Sequence, residues 1–201
     1  MIDRFGDLIR DSIQDSIRAK DAVLQDQGLL GAMAAVAADW VSALRKGHKL
    51  LFFGNGGSAA DAQHLAAEFV GRFQIERTPL PALALTTNTS ALTGIGNDYG
   101  YENLFARQIQ ALGNPGDVAV GLTTSGTSAN VVKGLSAAKA KGLVTVALTG
   151  RNASALREFS QYCLCVPADS TPRIQECHIM IGHILTMICE KEICSSSAAH
   201  G

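Results

Sequence analysis

His64 and Glu68 stand four residues apart in DAQHLAAEF, so on a helix they share one face. An imidazole and a carboxylate so placed can bind a metal or move a proton, although the same spacing also makes an ordinary exposed ion pair. Just upstream lies GNGGS, residues 54–58, directly after an apolar run at 49–53. A strand, a glycine turn and a helix N-terminus together present backbone N–H groups to an anion, usually a phosphate. The turn fits neither GxGxxG nor GxxxxGK[ST], so neither a dinucleotide nor a Walker nucleotide site is indicated. A second cluster, Thr123, Thr124, Ser125, Gly126, Thr127 and Ser128, precedes a helix that begins ANVVKGL. Hydroxyls and free N–H groups suit a phosphate without Lys or Arg. Capping the helix would use only one or two of them. The chemistry this set suggests is a small phosphorylated substrate, held by two loops while a polar group acts on it.

The elements that must position these residues follow from hydrophobic patterning. Short, nearly continuous apolar runs at 49–53, 81–86, 117–122, 143–148 and 162–166 read as five strands. Helical segments near 58–68, 89–96, 102–112, 128–141 and 153–160 separate them. Apolar strands alternating with helices predict a parallel sheet covered on both faces, with ligands at the strands' carboxyl ends. Ser58 is expected to cap the first of these helices, with Asp61 near its positive end. Asn97 and Asp98 in GIGNDYG are expected in a polar turn. A last helix over 172–193 starts with Pro at its first position and carries Gln175, Glu176, His178 and His183. A histidine on so apolar a helix is ordinarily a core residue. Two amphipathic helices, 3–26 and 29–46, precede the first strand; they either pack on a second copy or cover a sheet face. The division is thus a helical segment at 1–48, an α/β domain at 49–194 and a frayed tail at 195–201.

Composition excludes several classes. The 201 residues carry 17 basic and 18 acidic side chains, for a net charge of −1, which argues against non-specific nucleic-acid or membrane binding. No stretch approaches 18 uninterrupted apolar residues, and MIDRFGDLIRDSI reads as an amphipathic helix rather than a signal peptide. The five cysteines are odd in number and lie amid apolar residues, which fits reduced thiols in a cytoplasm.

Four blocks carry a resemblance. GNGGSAADAQHLAAEF, ALTTNTSALTGIGNDYGYENLF, TTSGTSANV and RIQECHIMIGH together resemble the phosphoheptose isomerases of the sugar-isomerase (SIS) family, over residues 51–190. The resemblance implies a flavodoxin-like three-layer α/β sandwich with a five-stranded parallel sheet, and a homotetramer with active sites between subunits. It implies conversion of D-sedoheptulose 7-phosphate to D-glycero-D-manno-heptose 7-phosphate, the first step towards ADP-heptose for the lipopolysaccharide core. Substrate contacts would come from Asn55, Gly56, Gly57, Ser58, Glu68, Asn97, Asp98 and Gln175. Thr123, Thr124, Ser125 and Ser128 would surround the phosphate. His64, Glu68, Gln175 and His183 would hold one zinc per subunit, and Glu68 and His183 would be the acid/base pair. The family's loop reads STSGNS; here Thr123 keeps a hydroxyl, while Thr127 exchanges an amide for a hydroxyl.

Carboxylate and imidazole are suitable agents for a ketose–aldose isomerisation, which moves a proton between adjacent carbons through an enediol. Gln175 and His183, eight apart, lie about 12 Å apart along a helix axis. Both reach one ion only if they lean together or come from different subunits. A second reading is a non-catalytic SIS tetramer that binds the replication initiator DnaA; the presence of both Glu68 and His183 favours the enzyme.

Overall fold

A computed structural model describes residues 2–198. Five parallel strands form one sheet in the order β2-β1-β3-β4-β5. They are β1 Leu50–Gly54, β2 Ala82–Ala84, β3 Val118–Thr123, β4 Val144–Thr149 and β5 Tyr162–Cys165. The helices are α1 Ile2–Gln25, α2 Gln27–Arg45, α3 Gly57–Val70, α4 Thr89–Tyr99, α5 Leu104–Leu112, α6 Ala129–Ala140 and α7 Thr171–Ala198. A single 3-10 turn, Tyr101–Asn103, joins α4 to α5.

Strand alternation divides the core in two. Leu50 and Phe52 of β1 face Trp40 of α2, Phe69 of α3 and Ile181 of α7; Leu51 and Phe53 face Phe105 of α5 and Leu135 of α6. Both sets are fully buried, which is why these strands read as unbroken apolar runs. The result is the three-layer sandwich expected of the family. Glycines let layers close: a Cβ on Gly182 of α7 would collide with Leu65 of α3. With no side chain at 182, the two helices lie close.

Several expected boundaries moved. Residues 153–160 make consecutive turns rather than a helix. Thr149 Oγ donates to the Asn152 carbonyl, and Asn152 Oδ1 takes the Ser154 N–H and hydroxyl, so local side-chain bonds compete with helix propagation. Asn97 and Asp98 lie in the last turn of α4, not in a loop. Ser58 is not the cap of α3. Gly56 holds that position at φ +53°, and Ser58 is buried within the first turn. Asp61 therefore lies in the second turn. α7 runs on to Ala198, so Ser195 continues the helix, and the rest of the expected tail, 199–201, lies outside the described residues.

The stripe Phe5, Leu8, Ile9, Ile13 and Ile17 of α1 does not cover the sheet: all five are more than half exposed. Among the described residues of α1, only Ala19 and Val23 join the buried core. α2 has the length and apolarity to cross a membrane, yet Leu29, Met33, Val36 and Trp40 are buried in the core beside α7. All five cysteines are free.

His178 of α7 is wholly buried, and both ring nitrogens lack hydrogen-bond partners. Burial pushes its pKa from the ordinary 6.5 down to about 4; the nearby Thr149 carbonyl opposes this only in part. An unfolded chain therefore takes up a proton below pH 6.5 that the folded chain refuses until about pH 4. Stability from this residue is complete above pH 6.5 and is lost as pH falls towards 4, by on the order of 3 kcal/mol. Asp61 works in the opposite sense, because burial raises it to about 6. The comparison that isolates His178 is with His178→Leu. The drop in urea midpoint between pH 7.5 and pH 4.5 is expected to be clearly smaller in the variant; equal drops would refute the assignment.

Candidate active site

α3 and α7 run side by side in the same direction, and two conjunctions of the site are pairings between them. From the middle of α3, His64 Nε2 lies 2.9 Å from His183 Nε2 and 3.3 Å from Glu68 Oε1. One ligand atom from each of the three side chains falls within 4.8 Å of the others. At the near end, the Gln175 amide lies over Gly57, where a Cβ would collide with it. Gln175 thus serves the glycine turn, while His183, two turns later, meets His64 and Glu68. The ~12 Å axial separation of Gln175 and His183 is met by giving them different neighbours on α3.

Burial lowers the pKa of His183, and the His64 ring adds to this; Glu68 pulls the other way. At neutral pH the ring is uncharged and can accept a proton. Two imidazoles and a carboxylate are a set that zinc uses, with a fourth position open. The fit is close: two nitrogens on one tetrahedral zinc stand ~3.3 Å apart at ~2.0–2.1 Å bond lengths. Opening the 2.9 Å contact by a few tenths of an ångström would admit the ion.

The two loops differ from the starts of α2 and α4 in lacking a side-chain cap bond, as the start of α5 at Asn103 also does. α2 and α4 are capped by Asp26 and Asn88, whose carboxylate and amide oxygens accept from Leu29 N and Ala91 N. α3 and α6 have no side-chain cap bond: Gly56 offers none, and Ser128 is turned away from its helix. Ser128 Oγ instead lies 2.9 Å from Thr123 Oγ, which is also 3.3 Å from Ser125 Oγ. Ser125 Oγ accepts from Thr127 N–H and Thr127 O–H. The hydroxyls form a cluster of their own; Ser58, Ala59 and Val131 N–H bond backbone carbonyls one turn back, which leaves the Gly57, Ala129 and Asn130 N–H groups for a ligand.

Asn55, Gly56, Thr86, Thr93 and Tyr101 line a cavity of about 400 Å³ beside the glycine turn. Asn55 is fixed by two residues the sequence did not single out. Its Nδ2 donates to Asn130 Oδ1 and its Oδ1 accepts from Asn130 Nδ2, both at 2.8 Å; Tyr101 O–H adds a third bond at 3.0 Å. Asn130 follows Ser128 by two residues, so this pair ties the glycine turn to the hydroxyl loop. Its one sequence signal is a polar residue in the first turn of the helix that follows the hydroxyl loop. Asn97 and Asp98 are exposed and bonded to each other at 2.7 Å. Asp98 lines a different cavity, with Asn88, Tyr99 and Arg107.

Known proteins match this arrangement over most of its length. A family profile described as SIS domain matches residues 13–150. A phosphoheptose isomerase of Aneurinibacillus thermoaerophilus is 51% identical over 188 residues, covering 94% of this chain and 95% of its own. Phosphoheptose isomerase 2 of Campylobacter jejuni is 47% identical over 96% of both chains. The solved phosphoheptose isomerase of Neisseria gonorrhoeae superposes with a TM-score of 0.87 at 40% identity, covering 93% of this chain and 99% of that one. The chain belongs to the phosphoheptose isomerases of the SIS family. These relatives lend no support to the initiator-binding reading.

Proposed function

We propose that the chain converts D-sedoheptulose 7-phosphate to D-glycero-D-manno-heptose 7-phosphate, and so acts in carbohydrate metabolism as an intramolecular ketose–aldose isomerase. The observation that carries this reading is the meeting of His64, Glu68 and His183 on two helices of which one, α3, begins uncapped at the glycine turn. In the reaction, Glu68 takes a proton from C1 while O2 gains one, giving the 1,2-enediol. Glu68 returns its proton to C2, and O1 loses its own to leave the aldehyde. His183, neutral and beside Glu68, is suited to carrying the proton between the two oxygens. The loops grip the phosphate, remote from the reacting carbons, and that binding energy holds the sugar in register.

His64, Glu68 and His183 would hold one zinc, with Gln175 reaching the substrate at the glycine turn. Bound there, zinc would polarise the sugar oxygens as a Lewis acid. The exposed stripe of α1, and the apolar groove of about 540 Å³ lined by Ala37, Ala38, Val41 and Ile188, are surfaces for other subunits of a homotetramer. A cytoplasmic place, and a role in supplying heptose for the lipopolysaccharide core, belong to the same proposal.

The test is to incubate the purified protein with sedoheptulose 7-phosphate and follow heptose 7-phosphate, after chelation and again with zinc restored. Turnover is expected, strongest with zinc, from a particle of four times the 21.1 kDa chain mass. No product under either condition would overturn the isomerase; a monomer in solution would remove the tetramer.

A further inference from the structure

We infer that Phe73 is a positioning residue for His183, held in place by a strap that Glu190 anchors; this rests on the isomerase reading above. The strap leaves α3 after Gly71. Glu190 of α7 accepts from the N–H groups of Phe73 at 3.0 Å, Gln74 at 2.7 Å and Ile75 at 2.9 Å, and from Arg77 Nε at 3.1 Å. Arg77 spends its remaining donors on the carbonyls of Glu68, Phe69, Gly71 and Thr78. Both side chains are nearly closed to water, at 4% and 1% exposure. Burial raises the Glu190 carboxyl, but the three backbone donors and Arg77 outweigh it and hold the group below its usual range. The strap is thus bound to both helices that carry the site: to α3 through the Glu68, Phe69 and Gly71 carbonyls, and to α7 through Glu190.

What the strap delivers is one aromatic face. The Phe73 ring stacks on the His183 ring, with centroids 5.3 Å apart and planes at 25°. The His64 ring packs on the same imidazole at 5.1 Å and 55°. The need for this is torsional. The outer torsion of a histidine is broad and roughly two-fold, so its own rotamer does not decide where Nε2 points. A flat partner in a fixed place limits that rotation. Phe73 has no donor or acceptor, so it takes no part in proton transfer; its effect passes through the direction of Nε2. Glu190 lies seven residues after His183, two turns along the same helix, so anchor and imidazole share one rigid element.

Phe73→Leu keeps the apolar bulk and removes the flat face. The expected result is a kcat lower by about ten- to a hundredfold, the size of effect that follows a misplaced catalytic group. KM should stay within about twofold, because the phosphate loops are untouched, and Phe73→Tyr, which restores the face, should recover kcat. A Phe73→Leu protein with wild-type kcat would overturn the assignment, as would a Phe73→Tyr protein equally impaired. If the wild type does not turn over the heptulose phosphate at all, the isomerase reading fails separately. The stacking is then read by NMR: the His183 ring protons should resonate upfield in the wild type and move downfield in Phe73→Leu. Identical shifts in both would overturn the inference.

Discussion

Glu68→Gln is expected to abolish turnover of sedoheptulose 7-phosphate, with a loss of about 10²–10⁴-fold from the missing general base alone. The substitution is nearly isosteric, and the side chain is partly exposed beside His64 rather than locked in the core. Fold and subunit assembly should therefore be unchanged. An amide cannot take the C1 proton, so incorporation of solvent deuterium at C1 and C2 should stop together with product formation. Turnover and exchange within a few-fold of wild type would remove Glu68 from the mechanism. Product loss with exchange retained would put the defect in the oxygen-to-oxygen transfer, and the base would have to be sought elsewhere.

Gly126→Ala is expected to raise KM by about ten- to a hundredfold, equivalent to about 1.4–2.7 kcal/mol of lost binding. Gly126 sits at φ +71°, where a side chain is strained, and a Cβ there would overlap the Asn152 carbonyl oxygen and lie 2.9 Å from the carbonyl carbon. That neighbour is backbone, already bonded to Thr149 Oγ at 2.9 Å, so it has little room to give. The loop must move instead, taking the hydroxyls of Ser125 and Ser128 out of their cluster with Thr123. Inorganic phosphate, as a competitive inhibitor, should weaken in parallel. An unchanged KM and inhibition constant would show that this loop does not hold the phosphate. A drop in melting temperature is expected too, since an alanine at positive φ costs of order 1 kcal/mol or more.

The sequence made the fold legible wherever burial was two-sided. All five strands and seven of the eight expected helices are present, because apolar runs and helical periodicity were clear in each. The failures occur where a local side chain overrode the pattern. NASALREFS has helical spacing, but Asn152 and Thr149 bond to the backbone and break it into turns. The start of α3 was misread at Ser58 because Gly56, at positive φ, lets the helix begin sooner. The His64–Glu68 pair was legible from spacing on one helix. Its meeting with His183 came only through family resemblance, since periodicity alone marked His183 as a core residue. The seating of Gln175 on Gly57 depends on the register of α3 against α7, which the local spacing of neither helix encodes. Asn130, Phe73 and the Arg77–Glu190 anchor were invisible for the same reason: each acts through a residue distant in the chain.

The strand order also bears on how the chain is made. β1 is buried on both faces, yet it sits between β2, a three-residue edge strand, and β3, whose first residue is 118. A nascent chain leaving the ribosome has made Gly54 long before Val118 exists; at ~5–20 residues per second the wait is roughly 3–13 seconds. Until Ala84 is made Leu-Leu-Phe-Phe has no neighbouring strand, and from then until Val118 it has one short neighbour and an open edge. Shielding that segment during synthesis falls to α2 and α3, which pack on Leu50 and Phe52, and to α5, which packs on Leu51 and Phe53, or to a chaperone.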